Sequence, residues 1–302
     1  MSSSATFFAL ATIGLWSFLA YLGAALNNVP PFLLAGIAMC IGGLFGAVRF
    51  RLWRVPLKTL AMGVGGIFGY NFLYFFALQN APAVEASLIN YLWPLLIVML
   101  SPVILKGYNL RSYHLLGAIA GLVGAALIVT GGHLNLDLAN LNGYLFAAGA
   151  ALVWACYSLL TKKVPPFPSA ATAGFCLVSG ILSLLIHFGI EPSYVPSGRD
   201  WIFLTLLGIG PIGAAYFTWD AAMKRGDPRI IGSLAYLTPL TSTLVLVLLG
   251  GHEFKWVSAV AMVLIVAGAL VGSLDMIRPK KAVQSAAVPG EGYREAIETV
   301  GA

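Results

Sequence analysis

The chain has 302 residues, of which 59% are hydrophobic and only 9% are charged. Soluble domains carry about 25% charged residues, so this composition excludes a soluble globular protein and indicates a membrane protein whose helices expose apolar faces to lipid. The formal charge of +6 does not indicate nucleic-acid binding, because the basic residues form short clusters between long apolar runs.

The three cysteines and the start of the chain carry no sign of a cofactor or of a cleaved leader. Cys40, Cys156 and Cys176 lie within apolar runs and show no CxxC spacing. We therefore expect small buried side chains rather than a metal or redox site, and no cofactor. The first apolar run begins near Ala5 with no basic residue before it, so we expect a retained helix rather than a signal peptide.

Apolar runs long enough to cross a bilayer, about 20 residues each, recur along the chain. In chain order they cover residues 5–26, 31–48, 57–79, 83–105, 111–131, 143–162, 168–189, 201–223, 229–249 and 255–276. Short turns rich in Pro, Gly and Asn separate neighbouring runs and leave no room for a soluble domain between them. We predict an all-α polytopic membrane protein with ten transmembrane helices and a disordered cytoplasmic tail over 279–302.

The basic residues predict how the chain is oriented. Cytoplasmic loops of membrane proteins carry an excess of Lys and Arg. If the N-terminus is cytoplasmic, ten crossings put 15 of the 17 basic residues on the cytoplasmic side and leave only Arg199 and Lys255 outside. We therefore predict a multi-pass protein with both termini in the cytoplasm.

The second half of the chain repeats the first at a spacing of 145 residues. Residues 63–67 align with 208–212, and residues 91–95 align with 236–240, with Gly and Pro positions in common. Each half holds five predicted helices, an odd number, so the second half crosses the membrane in the opposite sense. We predict two inverted five-helix repeats, over 1–133 and 142–278, around a central site, which is typical of alternating-access transporters.

Two further features identify a family resemblance. Trp16 in helix 1 is echoed by Trp154 in helix 6, and residues 89–94 read Ile-Asn-Tyr-Leu-Trp-Pro. With the two five-helix units, these features resemble the EamA-type drug/metabolite transporter superfamily and, within it, the YddG-type aromatic amino acid exporters. The resemblance implies a central cavity lined mostly by helices 1, 3, 4, 6, 8 and 9. It also implies export of aromatic and other neutral amino acids, or similar small metabolites, across a bacterial inner membrane.

Aromatic and amide side chains at helical spacing are the candidates for that cavity. Tyr70 and Tyr74 share one helix face, and helix 8 repeats the spacing of helix 6 with Tyr216, Trp219 and Asp220. Aromatic rings suit an aromatic substrate, and amides can bind both ends of a zwitterion. The alternative is ordinary packing between helices or at headgroups. The candidate cavity residues are Trp16, Tyr70, Asn71, Tyr74, Ser87, Asn90, Tyr91, Trp93, Trp154, Tyr157, Trp219 and Tyr236.

Prolines and glycines inside the predicted helices are candidate hinges. Pro94 and Pro239 lie well inside helices 4 and 9, where each removes a backbone hydrogen bond and predicts a kink. Gly65 and Gly210 are paired in helices 3 and 8. These four positions either bend during gating or form static kinks that shape the cavity.

No acidic residue or histidine is predicted deep in the bilayer, where a proton-coupled carrier usually keeps one. Glu85 lies near the outer end of helix 4, and Asp220 lies about one turn from the inner end of helix 8, with Lys224 as a plausible partner. We therefore predict a facilitator, with proton coupling through Asp220 or Glu85 as the alternative.

Other functions remain open at this point. The same fold could move a drug or another metabolite, although the placement of the basic residues at helix ends disfavours phosphorylated cargo. An intramembrane enzyme would need a nucleophile, an acid pair or metal ligands at membrane depth, and no such motif is present. We expect lipid and a small-molecule substrate as partners, no nucleic acid, and a functional monomer.

Overall fold

The computed structural model describes residues 3–133, 136–251 and 256–274. Within these ranges it contains nine helices that are long and apolar enough to cross a membrane, and a tenth, shorter apolar helix. Helices 1 to 10 cover Ser3–Ala25, Pro31–Trp53, Leu57–Asn80, Ala83–Ile104, Ser112–Thr130, Leu138–Lys163, Ala171–Ile190, Gly198–Arg225, Pro228–Gly250 and Trp256–Gly272. The predicted polytopic all-α fold with ten helices is confirmed.

The helix ends lie close to those predicted from the apolar runs. Helix 2 ends five residues later than predicted, because its α-helix ends at Phe45 and a 3-10 helix continues over Gly46–Trp53; helix 6 begins five residues earlier than predicted, at Leu138. The 3-10 segment of helix 2 carries Arg49 and Arg51. These charges end the apolar run of the sequence at residue 48, although the helix continues to Trp53. The predicted tail over 279–302 lies outside the described residues.

The kinks predicted at Pro94 and Pro239 are confirmed. Helix 4 is interrupted at Tyr91, between segments that end at Asn90 and begin at Leu92. Helix 9 is interrupted in the same way at Tyr236, between segments Pro228–Ala235 and Leu237–Gly250. Each interruption comes three residues before its proline, because the ring removes one backbone hydrogen bond and crowds the preceding turn.

Helices 3 and 8 differ, although the repeat pairs them. Helix 3 is one continuous α-helix over Leu57–Asn80. Helix 8 contains a π-helical segment, Gly208–Ala214, with Pro211 inside it. A proline inside a helix displaces the regular hydrogen-bond ladder, and a π-turn is one way to accommodate it. Gly65 therefore lies in regular helix and Gly210 in the π-segment, and their role as hinges remains a prediction.

Most of the packing runs between the two halves of the chain. Helix 2 packs along helix 7, helix 3 along helix 6, helix 1 along helix 8 and helix 5 along helix 10. Glycines permit the closest approaches. A Cβ atom at Gly117 of helix 5 would come within 2.6 Å of the carbonyl oxygen of Gly268 in helix 10. Small residues at such contacts are typical of membrane helices. This arrangement brings helices 1, 3, 4, 6 and 8 together in the interior of the bundle.

Candidate functional site

Four tryptophan side chains from four helices meet in the interior of the bundle. Trp16 lies 5.9 Å from Trp93, 5.9 Å from Trp154 and 5.2 Å from Trp219, measured between ring centroids. Trp219 is also 5.4 Å from Trp93 and 6.4 Å from Trp154. We call these four residues the tryptophan cluster. Each is a candidate from the sequence, and the structure brings all four into contact.

Tyrosines extend the cluster on two sides. Tyr70 of helix 3 lies 5.1 Å from Trp154 and stacks on Tyr74 at 5.9 Å with an interplanar angle of 7°. On another side, Tyr157 and Tyr216 lie 5.4 and 5.3 Å from Trp154. The shared face predicted for Tyr70 and Tyr74 is thus confirmed. The site offers π-faces and ring edges from helices 1, 3, 4, 6 and 8.

Two indoles of the cluster are held in place by hydrogen bonds. Trp16 donates its indole N–H to the carbonyl oxygen of Pro211, at 3.1 Å. Trp219 donates its indole N–H to the hydroxyl oxygen of Ser158, at 2.9 Å. The acceptors lie on helices 8 and 6, so these bonds tie together helices from both halves of the chain. A buried indole with a satisfied N–H keeps a fixed orientation, which makes the cluster a defined surface.

Polar side chains of helices 3 and 4 border the cluster. Asn90 donates from its side-chain amide to the Tyr70 hydroxyl at 3.2 Å, and Tyr74 and Ser87 share a hydrogen bond of 3.0 Å. The side-chain oxygen of Asn90 has no hydrogen-bond partner among the described residues, although the residue is only 7% exposed. Asn71 instead donates to a carbonyl of its own helix. Asn90 therefore keeps an unused acceptor beside the aromatic rings.

Tyr236, a candidate from the sequence, lies away from the tryptophan cluster. Its ring is fully buried in a separate apolar core with Val98 and Ile265, and it packs against Gly121 of helix 5. Its hydroxyl donates to the backbone carbonyl of Tyr91 at 3.2 Å. The helix interruption at Tyr236 directs the side chain toward helix 5, so a supporting role at the crossing of the two broken helices fits its position. Tyr91 is half-buried against the same core.

One end of the bundle is closed by lysine contacts. We define the basic end as the end that carries Lys162, Lys224, Arg225 and Arg229. Lys162, in the last turn of helix 6, donates to the carbonyl oxygens of Met223, Lys224 and Gly226, at 3.3, 3.1 and 2.7 Å. These carbonyls end helix 8 and have no partner within it. A cation placed there also complements the negative end of the helix dipole.

Asp220 and Lys224 form a buried ion pair next to the cluster. Their side chains are 0% and 3% exposed, and the Lys224 ammonium lies 2.6 Å from one Asp220 oxygen. The partner predicted for Asp220 is confirmed. Lys224 also donates to the carbonyl of Phe167 at 2.9 Å and lies 3.3 Å from the centroid of its ring. Asp220 directly follows Trp219, so it is more deeply enclosed than its distance from the helix end suggests.

Arginine contacts extend this closure to helix 1 and to the connection between helices 4 and 5. Arg225 lies over the ring of Phe8 at 4.9 Å. Arg229 lies over the ring of Tyr108 at 5.4 Å and donates to the carbonyl of Asn109. Burial, together with the charge of neighbouring Asp227, raises the pKa of Tyr108 to about 12. The basic end is therefore sealed by contacts among helices 1, 6, 8 and 9 and two connections.

At the opposite end of the bundle, the segments of helices 1 and 4 pack on different neighbours. The second segment of helix 1, Leu19–Ala25, packs against helices 8 and 9, whereas the first segment of helix 4, Ala83–Asn90, packs against helices 3, 5 and 6. These described segments of helices 1 and 4 make no extensive contact with each other. Tyr70, Tyr74 and Ser87 remain half-buried at the border of the cluster. These partly exposed side chains border the cluster on the side away from the basic end.

Two acidic side chains at the opposite end have structural partners. Glu85, a candidate for proton coupling, accepts a hydrogen bond from Tyr144 of helix 6. Glu191 accepts from the backbone N–H groups of Phe32 and Leu33, at 2.9 and 3.1 Å, and so caps helix 2. Glu191 is not among the candidates from the sequence, because nothing in the sequence indicates that the end of helix 7 lies beside the start of helix 2. No group of three or more His, Cys, Asp or Glu side chains that could hold a metal ion occurs in the described ranges.

Comparisons with known proteins agree with this architecture. The EamA-like transporter family matches residues 2–130 and 141–274. The aromatic amino acid exporter YddG of Ancylobacter novellus is 42% identical over 90% of this chain and 98% of its own length. The protein of the same name from Salmonella typhimurium is 24% identical over 82% of this chain and 89% of its own.

A solved crystal structure shares the fold with a TM-score of 0.86 and 41% identity, and the match covers 92% of this chain and 100% of the other. The two matched segments account for both five-helix halves and leave out mainly the connection between them and the C-terminal tail. The chain belongs to the EamA-like transporter family.

Proposed function

We propose that this protein exports aromatic and other neutral amino acids, and similar small metabolites, across the bacterial inner membrane. The main observation behind the proposal is the tryptophan cluster, in which the ring centroids of contacting indoles lie 5.2 to 6.4 Å apart. The identity of 42% to a relative named as an aromatic amino acid exporter supports the same cargo.

The chemistry of the site suits this cargo. Edge-to-face and offset contacts between aromatic rings contribute about 0.5–1.5 kcal/mol per pair beyond the burial of area. Cation–π contact with indole or phenol rings can hold a substrate ammonium without a buried carboxylate. The unpaired side-chain oxygen of Asn90 offers one hydrogen-bond acceptor for the same ammonium. Neutral groups therefore suffice to bind a neutral amino acid.

The cargo moves by alternating access between two orientations of the site. If the basic end faces the cytoplasm, as the excess of Lys and Arg on cytoplasmic loops favours, both termini are cytoplasmic and the cytoplasmic end is the closed one in this conformation. Export requires a second state, in which the basic end opens and the opposite end closes. Inverted repeats supply that state, because each half adopts the conformation that its partner leaves. One chain contains both halves, so we propose that a monomer is sufficient.

The transport step is a facilitated one in this proposal. Asp220 is held in an ion pair with Lys224 at 2.6 Å, and Glu85 accepts a hydrogen bond from Tyr144. Both carboxylates therefore already have partners within the protein. The second candidate is a proton-coupled drug or metabolite efflux carrier of the same fold. The full burial of Asp220 favours that candidate, because buried acids in membrane proteins are often proton carriers. The named relatives are transporters or exporters, so we propose no enzymatic activity.

Uptake of radiolabelled phenylalanine into proteoliposomes tests the proposal. We expect uptake that ignores an imposed pH gradient and accelerates when unlabelled phenylalanine is trapped inside. Uptake driven by the pH gradient would keep the cargo and replace the facilitated mechanism with proton coupling. Absence of phenylalanine movement, with protein shown to be folded, would contradict the cargo.

Variants of Trp154 test the tryptophan cluster. Loss of two aromatic pairs costs about 1–3 kcal/mol, or roughly five- to a hundredfold in affinity. We expect Trp154→Ala to weaken transport of phenylalanine and tryptophan within this range at unchanged expression, and Trp154→Phe to weaken it less. Trp201→Ala, which truncates an exposed tryptophan near the start of helix 8, is the matched control. Unchanged transport in alanine variants of Tyr91, Trp93 and Trp154 would remove the aromatic site from the proposal.

A further inference from the structure

The groups around the tryptophan cluster can bind a cation but offer no partner for an anion. The ring contacts come from indoles and phenols, whose faces attract positive charge. The polar border consists of neutral amides and hydroxyls. In the described ranges, every Lys, Arg and His lies in a connection or within a turn or so of a helix end. A carboxylate bound beside the cluster would therefore have only Lys224 as a nearby cation, and this lysine is already paired with Asp220.

The nearest ion pair presents its negative member to the cluster. Asp220 directly follows Trp219, and Lys224 lies one turn further toward the basic end. Tyr157, which touches Trp154, is close enough to Asp220 for the two side chains to interact electrostatically. The Lys224 ammonium is occupied on its other side by the carbonyl and the ring of Phe167. The dipole of the pair thus favours positive charge on the cluster side.

Two unused acceptors point to the same preference. The side-chain oxygen of Asn90 has no hydrogen-bond partner in the described structure, and the residue is more than nine-tenths buried. The Asp220 oxygen that does not face Lys224 also has no hydrogen-bond partner among the described residues. A buried acceptor without a donor is costly, and an ammonium can supply the donor. Both acceptors belong to segments that meet at the cluster.

We infer that the site recognises the aromatic ring and the ammonium of its cargo and does not require a carboxylate. Aromatic monoamines in the protonated form, such as 2-phenylethylamine and tryptamine, are then ligands and cargo of the same site. This inference rests on the proposed function, because it gives separate roles to the ring, the ammonium and the carboxylate of an amino acid cargo. The ring and the ammonium are bound, while the carboxylate is only tolerated and stays solvated toward the open end.

A set of phenylalanine analogues separates the two charged groups. In proteoliposomes, unlabelled phenylalanine, phenylalaninamide, 2-phenylethylamine and 3-phenylpropanoate compete with labelled phenylalanine for counterflow. Phenylalaninamide and the amine lack the carboxylate, and 3-phenylpropanoate lacks the ammonium. We expect the two cations to compete within about threefold of phenylalanine, and 3-phenylpropanoate to be at least tenfold weaker.

A labelled quaternary amine tests transport directly. Simple amines cross lipid in their neutral form, whereas trimethyl(2-phenylethyl)ammonium cannot lose its charge. It has no N–H donor and therefore tests cation–π contact alone. We expect it to enter proteoliposomes faster than protein-free liposomes but more slowly than phenylalanine, and unlabelled phenylalanine to inhibit this uptake. The inference is overturned if the quaternary compound does not enter and the other amines do not compete with labelled phenylalanine. The proposed function still stands in that case, provided that phenylalanine itself is transported. If the amine enters and phenylalanine neither moves nor competes, the proposed cargo fails.

Asn90 provides the variant that links the result to this site. We expect Asn90→Leu to weaken competition by 2-phenylethylamine by about tenfold and competition by 3-phenylpropanoate by less than twofold. Asn80→Leu is the matched control, since Asn80 is exposed at the end of helix 3 and bonds only within its own helix. Equal losses for the amine and the acid in Asn90→Leu would contradict selection of the ammonium, because a merely structural change weakens both.

Discussion

The two halves of the chain share a backbone design but not a charge pattern. Both have a helix interrupted at a tyrosine, Tyr91 and Tyr236, three residues before a proline. At their ends the halves diverge. Lys224 and Asp220 of the second half correspond, at the spacing of 145, to Gln79 and Phe75 in helix 3. Lys162 of helix 6, at the spacing of 138 that relates Trp16 to Trp154, corresponds to Ala24 in helix 1.

In the proposed transport cycle, the two states therefore differ in their charged contacts. The pseudo-two-fold symmetry relates the backbones of the states, so closing either end requires similar helix packing. Among the described residues, the basic end has a lysine that donates to the carbonyl groups at the end of another helix and a buried Lys–Asp pair, whereas the buried side chain of Glu191 at the opposite end caps helix 2 and pairs with His187. At the positions that the repeat pairs with Lys224, Asp220 and Lys162, the first half has no charged side chain. Each of the following variants removes a charged contact of the basic end or changes a glycine in the middle of helix 3.

The largest effect is expected from breaking the Asp220–Lys224 pair. Removing one partner of a buried pair leaves an uncompensated charge and costs about 3–5 kcal/mol. We therefore expect Asp220→Asn and Lys224→Met each to lower the thermal stability of the purified protein strongly. The double variant removes both charges, so its loss of stability should be smaller than that of either single variant. Thermal unfolding in detergent measures all three.

The same variants separate structural from transport roles. If the double variant is as unstable as the single ones, the charges are not compensating each other and the contrast between the ends loses its main support. If Asp220→Asn keeps its stability and binds phenylalanine but no longer transports it, proton coupling through Asp220 becomes the better mechanism.

Much of the fold is predictable because the bilayer imposes it. A helix that crosses lipid needs a minimum apolar length, so the ten runs give the helices and most of their ends. Pro94 and Pro239 predict the two interruptions through backbone chemistry alone. The spacing of Tyr70 and Tyr74 predicts their stacking for the same local reason.

The assembled site could not be predicted in the same way. Spacing gives the face of a helix that a residue occupies but not the rotation of that helix against its neighbours. The meeting of Trp16, Trp93, Trp154 and Trp219 is therefore a result of tertiary packing, and so is the turn of Tyr236 toward helix 5. The π-segment at Pro211 was also missed, since a proline alone does not determine how a helix accommodates it.

A smaller effect is expected from Lys162, which tests whether the basic end is held closed. Hydrogen bonds to charged groups contribute about 1.5–3 kcal/mol, and Lys162→Met loses three such bonds to the end of helix 8. The basic end should then open more often. We expect a cysteine at the buried position Ala222 to react roughly tenfold faster with a membrane-impermeant maleimide in inside-out vesicles.

The neighbouring lysine supplies the control for this variant. Lys163 is exposed and forms no hydrogen bond in the described structure, so Lys163→Met removes the same charge without the same contacts. Both variants are made with the native cysteines Cys40, Cys156 and Cys176 replaced by serine. Equal labelling rates in the two variants would mean that net charge, and not the contacts of Lys162 with helix 8, controls the basic end.

The smallest effect concerns the middle of helix 3, where Gly66 occupies the position that Pro211 occupies in helix 8. A Cβ atom at Gly66 would come within 2.6 Å of the Cβ atom of Tyr157, whereas a Cβ at Gly65 has nothing within 4 Å. Overpacking costs about 1–3 kcal/mol, and replacing an unhindered helix glycine by alanine gains about 0.5–1 kcal/mol. We expect Gly66→Ala to lower thermal stability and Gly65→Ala to preserve or raise it.

Transport by the stable variant then tests the predicted hinge. If helix 3 bends at Gly65 during the cycle, Gly65→Ala should slow phenylalanine counterflow even though it does not destabilise the protein. Unchanged counterflow would mean that helix 3 moves as a rigid unit. The bending between states would then fall to the elements that are already irregular, the interruptions at Tyr91 and Tyr236 and the π-segment of helix 8. The two halves would in that case differ in flexibility as well as in charge.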